Sequence, residues 1–345
     1  MTTTDIERRE FLRRSLFAGA GITMASGLAS TITSAAAKAS TKGDSQATVL
    51  PKSTGSCLFG AHALPRVGEP TQKDSTLALE AAIGRTLGIF RRYSYWDEPP
   101  PDNTHLWAAQ GGRTPYISWH AYTRSGTAIP WRSIARGAQD AHILAVGAAM
   151  ANFGYPILFS FHHEPENDPA NGTPVQFKAA FERIRNLFDQ AGATNVTWIC
   201  TLMGTTYRGR NGGPDIWLPR PQFYSYVGSD GYNRWPVIAK PAWRTFADVF
   251  GDAQAKAVQL GKPLFVGEYG CVDQVQPTYP QGDPNAKAQW FADAALTVQS
   301  WGNVAGLSYS HAVAPFGGEQ LPYWVDTSAI SLEGFKAVGL SPYFA

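Results

Sequence analysis

Short apolar runs, each flanked by turn residues, recur along the chain after residue 56. They are rich in Ile, Val, Phe, Tyr and Trp and are too short for buried helices, so each run predicts a β-strand. The predicted strands are Cys57–Leu64, Gly88–Trp96, Thr114–Ala121, Pro156–Glu164, Asn195–Leu202, Tyr224–Tyr232, Pro263–Gly270 and Val304–His311.

Helical spacing of apolar residues fills most of the segments between these strands. Short or uncertain helices are expected after strands two and five, and Asp74 or Ser75 is expected to cap the first helix. The clear predicted helices are Ser75–Leu87, Trp131–Phe153, Val175–Ala191, Trp243–Leu260 and Asn285–Trp301.

Eight alternating strand–helix units predict an α/β fold, a single-domain (β/α)8 TIM barrel over residues 57–345. The competing fold is an open doubly wound sheet. It is disfavoured because the residues after the first strand, Gly60–Pro65, lack the spacing of a glycine-rich phosphate-binding turn.

The first 39 residues predict a twin-arginine signal peptide rather than part of the fold. Arg8 and Arg9 open the motif, a mildly apolar stretch rich in Gly, Ala and Ser follows, and small residues at 35–39 suit a signal peptidase. We therefore expect a secreted protein that meets the twin-arginine export machinery, without a stable membrane span. The alternative is an N-terminal membrane anchor. Residues 40–56 predict a flexible linker.

The composition is that of a globular protein, with 44% hydrophobic and 16% charged residues in a chain of 345. Without residues 1–39 the chain carries 24 basic and 24 acidic side chains, which argues against nucleic acid as a partner. Cys57, Cys200 and Cys271 are too few and too widely spaced for a disulfide framework, so buried thiols are expected and one bridge stays open. We expect no cofactor, and we expect the protein to be a monomer.

Two glutamates close apolar runs, Glu164 at the end of strand four and Glu268 at the end of strand seven. Barrels of this kind carry their chemistry at the carboxyl ends of the strands, where these two would face each other across the mouth. Hydrolysis of a glycosidic bond needs such a pair: one acid protonates the leaving oxygen, and the second carboxylate attacks or activates water.

The chain resembles the clan A glycoside hydrolases, which are eightfold barrels with catalytic glutamates after strands four and seven. Most of that clan carry Asn before the first glutamate; the pair His163-Glu164 instead resembles glycoside hydrolase family 26, as does the segment Gly267–Gly270. The resemblance implies a retaining mechanism with Glu164 as acid/base, Glu268 as nucleophile and Tyr232 bonded to the nucleophile. It also implies a β-glycan substrate, with β-mannan first and β-1,3/1,4-glucan or β-xylan as alternatives.

Further residues are expected to support this pair. His163 is expected to orient Glu164, and one arginine of strand two is expected to support Glu268. Alternation allows only one of Arg91 and Arg92 to face inward, and Arg92 is taken as the candidate. Trp198 and Trp290 are expected in the core. The candidate sugar-binding residues are Trp96, Trp119, His120, Trp235, Tyr309 and Trp324.

A metal site at residues 162–164 is disfavoured, because strand alternation would place His163 opposite its two neighbours and no HExxH motif is present. Metal-dependent hydrolysis or deacetylation stays open as an alternative. So does a non-catalytic glycan-binding barrel, which would need the aromatic residues but not both glutamates.

Overall fold

The computed structural model describes residues 56–235, 242–277, 279–316 and 318–345. The predicted signal peptide and all of the predicted linker except residue 56 lie outside these ranges. In the part of the chain that is described, no helix is both long enough and apolar enough to cross a membrane.

Eight parallel strands close into a barrel in chain order, β1 pairing with β8. The predicted (β/α)8 barrel is therefore confirmed, and each predicted strand overlaps an observed one. The strands are β1 Leu58–Ala63, β2 Ile89–Ser94, β3 Thr114–Trp119, β4 Ile157–Phe161, β5 Val196–Met203, β6 Tyr226–Asn233, β7 Leu264–Cys271 and β8 Val304–His311.

Helices surround the barrel, and the long predicted segment 131–153 is two helices separated by a turn. The first helix is capped by Thr71, whose hydroxyl and Asp74 form a reciprocal capping box, so Asp74 lies inside the helix rather than at its cap. The helices are α1 Gln72–Ile83, α2 Asn103–Gln110, α3 Trp131–Ala135, α4 Asp140–Asn152, α5 Pro174–Gln190, α6 Gly204–Tyr207, α7 Phe246–Gln259, α8 Ala286–Trp301 and α9 Ala329–Gly339.

The lower barrel interior is an apolar layer with one side chain from every strand. Because side chains alternate between the faces of a strand, residues two positions apart then enter successive interior layers. The lower layer consists of Leu58, Ile89, Tyr116, Leu158, Ile199, Tyr226, Phe265 and Ala305.

A second apolar shell fills the space between barrel and helices. The helix α5 contributes Phe177, Phe181 and Ile184 to it, and burial of this face explains the apolar spacing seen in the sequence. Trp198 and Trp290 are buried in this shell, as predicted. The three cysteines are buried free thiols.

A two-stranded hairpin follows β8, in a segment for which the sequence predicted no strand. Its antiparallel strands are β9 Val313–Phe316 and β10 Glu319–Pro322. The hairpin starts at the carboxyl end of the barrel and therefore extends the wall of the mouth.

Candidate active site

Glu268 lies near the end of β7 with four donors around its carboxyl group. The Tyr93 hydroxyl donates to Oε1 at 2.6 Å, and the Tyr232 hydroxyl donates to Oε2. Arg91 Nη2 lies 3.0 Å from Oε1, and His163 Nε2 lies 3.3 Å from the same oxygen. Hydrogen bonds and an opposite charge at this distance stabilise the carboxylate form. The strand-six contact of Tyr232 is the one expected from the sequence.

The inward-facing arginine of β2 is Arg91, and the choice of Arg92 was wrong. Arg91 shares its strand face with Ile89 of the lower layer and is fully buried. Arg92 points the other way and reaches Asp102 at 3.2 Å on the outside of the barrel. Side chains alternate along β2, so one of the two arginines must face inward, but the sequence did not reveal which one.

The buried guanidinium of Arg91 is held through its two terminal nitrogens, while its Nε has no hydrogen-bond partner among the described residues. It donates to Gly267 O and, at 3.3 Å, to Ser118 Oγ, and it lies 3.7 Å from Asp230 Oδ2. Its carbon centre sits 4.7 Å from the ring centroid of Tyr116 in the layer below. A buried charge is tolerated only when it is paired and hydrogen-bonded, and Arg91 meets both conditions beneath the two carboxylates.

Glycine at position 267, just before the candidate nucleophile, is required by these contacts. A Cβ there would lie 2.6 Å from Asp230 Oδ1, 3.0 Å from the Tyr116 hydroxyl and 3.3 Å from Arg91 Nη1. The pairing of β6 with β7 also shifts register here, so that Asp230 lies opposite Glu268. The glycine in the sequence motif therefore makes room for the arginine.

Glu164 lies just past the end of β4 in a left-handed backbone conformation. The strand ends at Phe161, and His162 and Glu164 have φ of 46° and 53°. Such φ values are uncommon for residues other than glycine and occur where the surrounding structure holds them in place. Glu164 is buried, and its Oε2 accepts a hydrogen bond from Asn167 Nδ2 at 3.0 Å.

His162 braces this backbone from the outer side. Its Nδ1 accepts from the Ala121 N–H at 3.1 Å, so Nε2 carries the proton and donates to Asp168 Oδ2 at 2.9 Å. Asp168 accepts a further hydrogen bond from the Tyr122 hydroxyl at 3.0 Å. The hydrogen bonds of Asp168 to His162 and Tyr122 thus hold the loop after Glu164 in place.

His163 contacts a different glutamate from the one that the sequence predicted as its partner. The sequence predicted that it would orient Glu164, whereas its Nε2 contacts Glu268. Burial is the main cause that lowers the pKa of His163 to about 4, so the ring is neutral at pH 7 and its Nε2–H can donate to the carboxylate. Its Nδ1 is buried without a hydrogen-bond partner.

The predicted alternation of residues 162–164 was also wrong. Ligand-type atoms of His163, Glu164 and Asp230 all lie within 4.8 Å of one another, because the strand has already ended and its alternation does not continue. Within the described ranges, these three side chains have a spacing that suits a metal ion.

Three of the six candidate sugar-binding residues belong to the core and cannot present a platform. Trp119 faces the helices and stacks on Trp96 with centroids 4.3 Å apart and planes at 4°. Tyr309 is fully buried against Phe291 and Phe335. Their ring types suit either face of a strand, so residue type alone misplaced them.

The other three candidates lie at the carboxyl end of the barrel. His120 lies beside His163, with centroids 4.8 Å apart, and burial is the first cause that lowers its pKa well below 6.5. Trp235 is half-buried and meets Tyr279 edge-on at 5.3 Å. Trp324 is half-buried, and the Arg66 guanidinium carbon lies 5.0 Å from the centroid of its ring.

Sequence reasoning assigned no role to Tyr93, His62 or Asp230. Tyr93 follows Arg91 by two residues, so the parity that places the arginine inward would also have placed the tyrosine beside Glu268. His62 lies one residue before the end of β1 and packs edge-on against Tyr93, with ring centroids 4.8 Å apart. Burial is the main cause that lowers its pKa to about 4.

No family model matches the sequence. Endoglucanase H of Acetivibrio thermocellus is 23% identical over 261 residues, which are 68% of this chain and 26% of that protein. The chain thus spans about a quarter of that relative's length.

Solved mannanase structures share the fold. The catalytic domain of a family 26 endo-β-1,4-mannanase from Bacillus sp. JAMB-750 has a TM-score of 0.58 at 18% identity, covering 85% of this chain and 88% of that one. The modular endo-β-1,4-mannanase of Cellulomonas fimi gives 0.57 at 17% identity, covering 84% and 72%. A β-mannanase from a symbiotic protist of the termite Reticulitermes speratus gives 0.56 at 15%, covering 85% and 89%.

These likenesses confirm the resemblance that was expected from the sequence. At such identities the solved structures show the fold alone, a barrel like that of the family 26 mannanases. The roles of individual residues do not follow from them.

Proposed function

We propose that the protein is a retaining glycoside hydrolase that cleaves β-glycosidic bonds, with Glu268 as nucleophile and Glu164 as acid/base. The observation that carries this proposal is the setting of Glu268, a carboxylate held by two tyrosine hydroxyls, a buried guanidinium and a neutral imidazole. These donors fix the carboxylate in place, as a nucleophile requires.

The reaction would proceed in two displacements. Glu268 forms a bond to the anomeric carbon while the glycosidic C–O bond breaks and Glu164 gives its proton to the leaving oxygen. Water then attacks the same carbon, Glu164 takes the water's proton, and the bond to Glu268 breaks. Arg91 stays fixed below Glu268 throughout and stabilises its negative charge each time the carboxylate is released.

β-Mannan is the first substrate we propose, and β-1,4-glucan or mixed-linkage glucan is the second. The mannanases named above share the fold, which supports the first, and the resemblance to Endoglucanase H supports the second. β-Xylan is a third possibility on the same scaffold. We expect His120, Trp235 and Trp324, which lie at the carboxyl end of the barrel, to contact the sugar.

The test is hydrolysis of mannan, lichenan, xylan and laminarin, followed by ¹H NMR of the first products. The proposal expects reducing sugar from at least one polymer, released first as the β-anomer. Release of the α-anomer would mean inversion and would remove Glu268 from the role of nucleophile.

A non-catalytic glycan-binding barrel and a metal-dependent hydrolase are the competing functions. Glu164→Ala and Glu268→Ala separate the first, because an enzyme loses hydrolysis and keeps binding. The cluster of His163, Glu164 and Asp230 motivates the second. Loss of activity in EDTA that zinc restores would favour it over the two-carboxylate mechanism.

We also propose that the protein is exported through the twin-arginine pathway, on the strength of residues 8–14. Replacing Arg8 and Arg9 by lysine should leave the protein inside the producing cell, whereas the unmodified chain is found in the medium. Export of both forms alike would contradict this route.

A further inference from the structure

Four arginines cluster on the side of the mouth formed by β5 and β6. Arg208 and Arg210 follow α6 in the loop after β5, Arg234 directly follows β6, and Arg244 lies shortly before α7. Since β5 and β6 are neighbours and run parallel, these loops emerge side by side. We call the four residues the arginine cluster.

Direct contacts bring the segments of the arginine cluster together: Arg208 Nη1 reaches Val249 O in α7, and the Arg244 N–H donates to Asn233 Oδ1 at 3.4 Å, next to Arg234. Partial burial of the otherwise exposed side chain is the first cause that lowers the pKa of Arg208, and the charges of Arg244, Arg210 and Arg234 lower it further. Asp252 acts in the opposite direction on Arg208. Proximity of like charges costs free energy unless an anion relieves it.

No member of the arginine cluster forms an ion pair within the ranges that the structure describes, although most other arginines there do. Arg208 Nη1 donates to Val249 O at 3.0 Å, and Arg234 Nε donates to the Tyr323 hydroxyl at 3.3 Å. Arg208 and Arg210 are exposed. The guanidinium groups of Arg208 and Arg210 are therefore open to solvent and form no ion pair with an acidic residue in the described ranges.

Arg234 connects the cluster to the catalytic centre. Its guanidinium lies between two rings, 4.8 Å from the centroid of Tyr232 and 4.4 Å from that of Phe316 on the hairpin. The hydroxyl of Tyr232 bonds Glu268. The ring of Tyr232 thus lies between Arg234 and the candidate nucleophile.

We propose that the arginine cluster is a subsite for an anionic group carried by the glycan substrate, a uronic acid carboxylate or a sulfate ester. The proposal rests on the proposed glycosidase function and adds a substrate class to it. The planar fork of a guanidinium matches a carboxylate or sulfate in two hydrogen bonds. Since acidic and basic residues balance over the chain beyond residue 39, the positive charge here is a local feature.

The test compares one polymer in three charge states: glucomannan, carboxymethyl-glucomannan and sulfated glucomannan. Binding is measured by affinity electrophoresis with the Glu268→Gln variant at ~20 mM and ~200 mM salt. We expect an anionic form to bind at least about fivefold tighter than the neutral one at low salt, with the difference shrinking at high salt. The form that binds tighter identifies the anion.

Matched variants locate the effect. Arg208→Gln/Arg210→Gln in the Glu268→Gln background should reduce the anionic-to-neutral ratio to near one. The control Arg132→Gln/Arg136→Gln removes the same charge from exposed positions in and just after α3, where neither residue forms an ion pair within the described ranges. Thermal melting verifies that both double variants are folded.

Equal binding of all three polymers, or equal loss in the control, would overturn the proposal. Hydrolysis of neutral glucomannan by the unmodified protein is measured in parallel, so that the two proposals fail separately. Anionic preference without hydrolysis on any polymer would keep the subsite and reject the glycosidase; hydrolysis without preference would do the reverse.

Discussion

The two ends of the barrel interior are made by the same strands and differ completely in chemistry. The lower layer takes one apolar side chain from each strand, such as Leu158 on β4 and Phe265 on β7. A few residues further along the chain lie Glu164, just past the end of β4, and Glu268, within β7. Apolar packing is the main interaction in the lower layer, where the Tyr116 hydroxyl also bonds Thr201 Oγ1 at 3.2 Å, whereas hydrogen bonds and charge hold the upper one.

The comparison teaches that stability and chemistry are separated along the strand axis. Burial of apolar surface in the lower layer stabilises the barrel. The barrel then keeps the charged side chains of the upper layer in place, although their burial costs free energy. Arg91 marks the boundary, since Tyr116 lies beneath it and Glu268 above. Substitutions in the two layers should therefore fail in different ways.

The largest expected effect is in the upper layer. Glu268→Gln keeps the shape of the side chain and removes the nucleophile, so kcat should fall by about 10³-fold or more. The change in thermal unfolding should be small next to the loss of kcat, because Asp230 remains as an acidic partner of Arg91. Kinetics on the substrate identified by the polymer screen measure the first, and differential scanning calorimetry measures the second. A variant that keeps more than a tenth of the activity would contradict the assigned role.

Phe265→Ala should show the opposite failure. It leaves a cavity in the lower layer and should cost about 3–5 kcal/mol in the free energy of unfolding. The kcat of the folded fraction should stay close to that of the parent, because the carboxylates are positioned above. Urea denaturation supplies the free energy. A loss of kcat as large as that of Glu268→Gln would show that the layers are not separate.

Arg91→Met should fail in both ways. Removing the guanidinium leaves the carboxylates of Glu268 and Asp230 without their buried cation, at a cost of about 3–5 kcal/mol in stability. The kcat should fall as well. Arg92→Met is the control, since Arg92 lies outside the barrel against Asp102. Equal effects of the two substitutions would contradict the assignment of Arg91 to the interior.

Stability should depend on pH through the upper layer. Burial lowers the pKa of His62 and of His163 to about 4 in the folded protein. The unfolded chain, with a pKa near 6.5, binds more protons between these values, so stability is full above about pH 6.5 and falls toward pH 4, by up to about 3 kcal/mol for each histidine. Urea denaturation at pH 7 and pH 4.5 measures the loss, and His62→Asn should reduce it. An unchanged free energy of unfolding would contradict the buried neutral rings.

The smallest effect should come from single donors to the nucleophile. Tyr93→Phe and Tyr232→Phe each remove one hydrogen bond to Glu268 and should lower kcat by about 10–100-fold. Stability should fall by no more than about 1 kcal/mol. Steady-state kinetics of the two variants decide it, and a Tyr93→Phe variant with full activity would remove Tyr93 from the site.

The sequence predicted the barrel well, because burial of a strand or helix determines the spacing of its apolar residues and the length of the apolar run. β8 was placed at its observed bounds, and β4 was extended three residues too far because His162, His163 and Glu164 continue the strand in the sequence but not in the backbone. The left-handed φ values at the end of β4 left no mark in residue type.

Direction into or out of the barrel was harder to predict. Arg91 and Arg92 are adjacent and identical, so only the assembled barrel distinguishes them. Trp119 and Tyr309 were placed at the mouth because they are aromatic and near a strand end, yet they pack under the helices. The two glutamates were identifiable because a carboxylate that closes an apolar run is unusual, whereas an aromatic residue there is not.

The most direct measurement of the central claim is covalent trapping of the nucleophile. The protein is incubated with a 2-deoxy-2-fluoro β-glycosyl fluoride of the sugar that it hydrolyses, digested with a protease and sequenced by mass spectrometry. The two-carboxylate mechanism predicts one added glycosyl group on Glu268 and none on Glu164. A label on any other residue, or rapid hydrolysis of natural substrate by a protein that is never labelled, would contradict it.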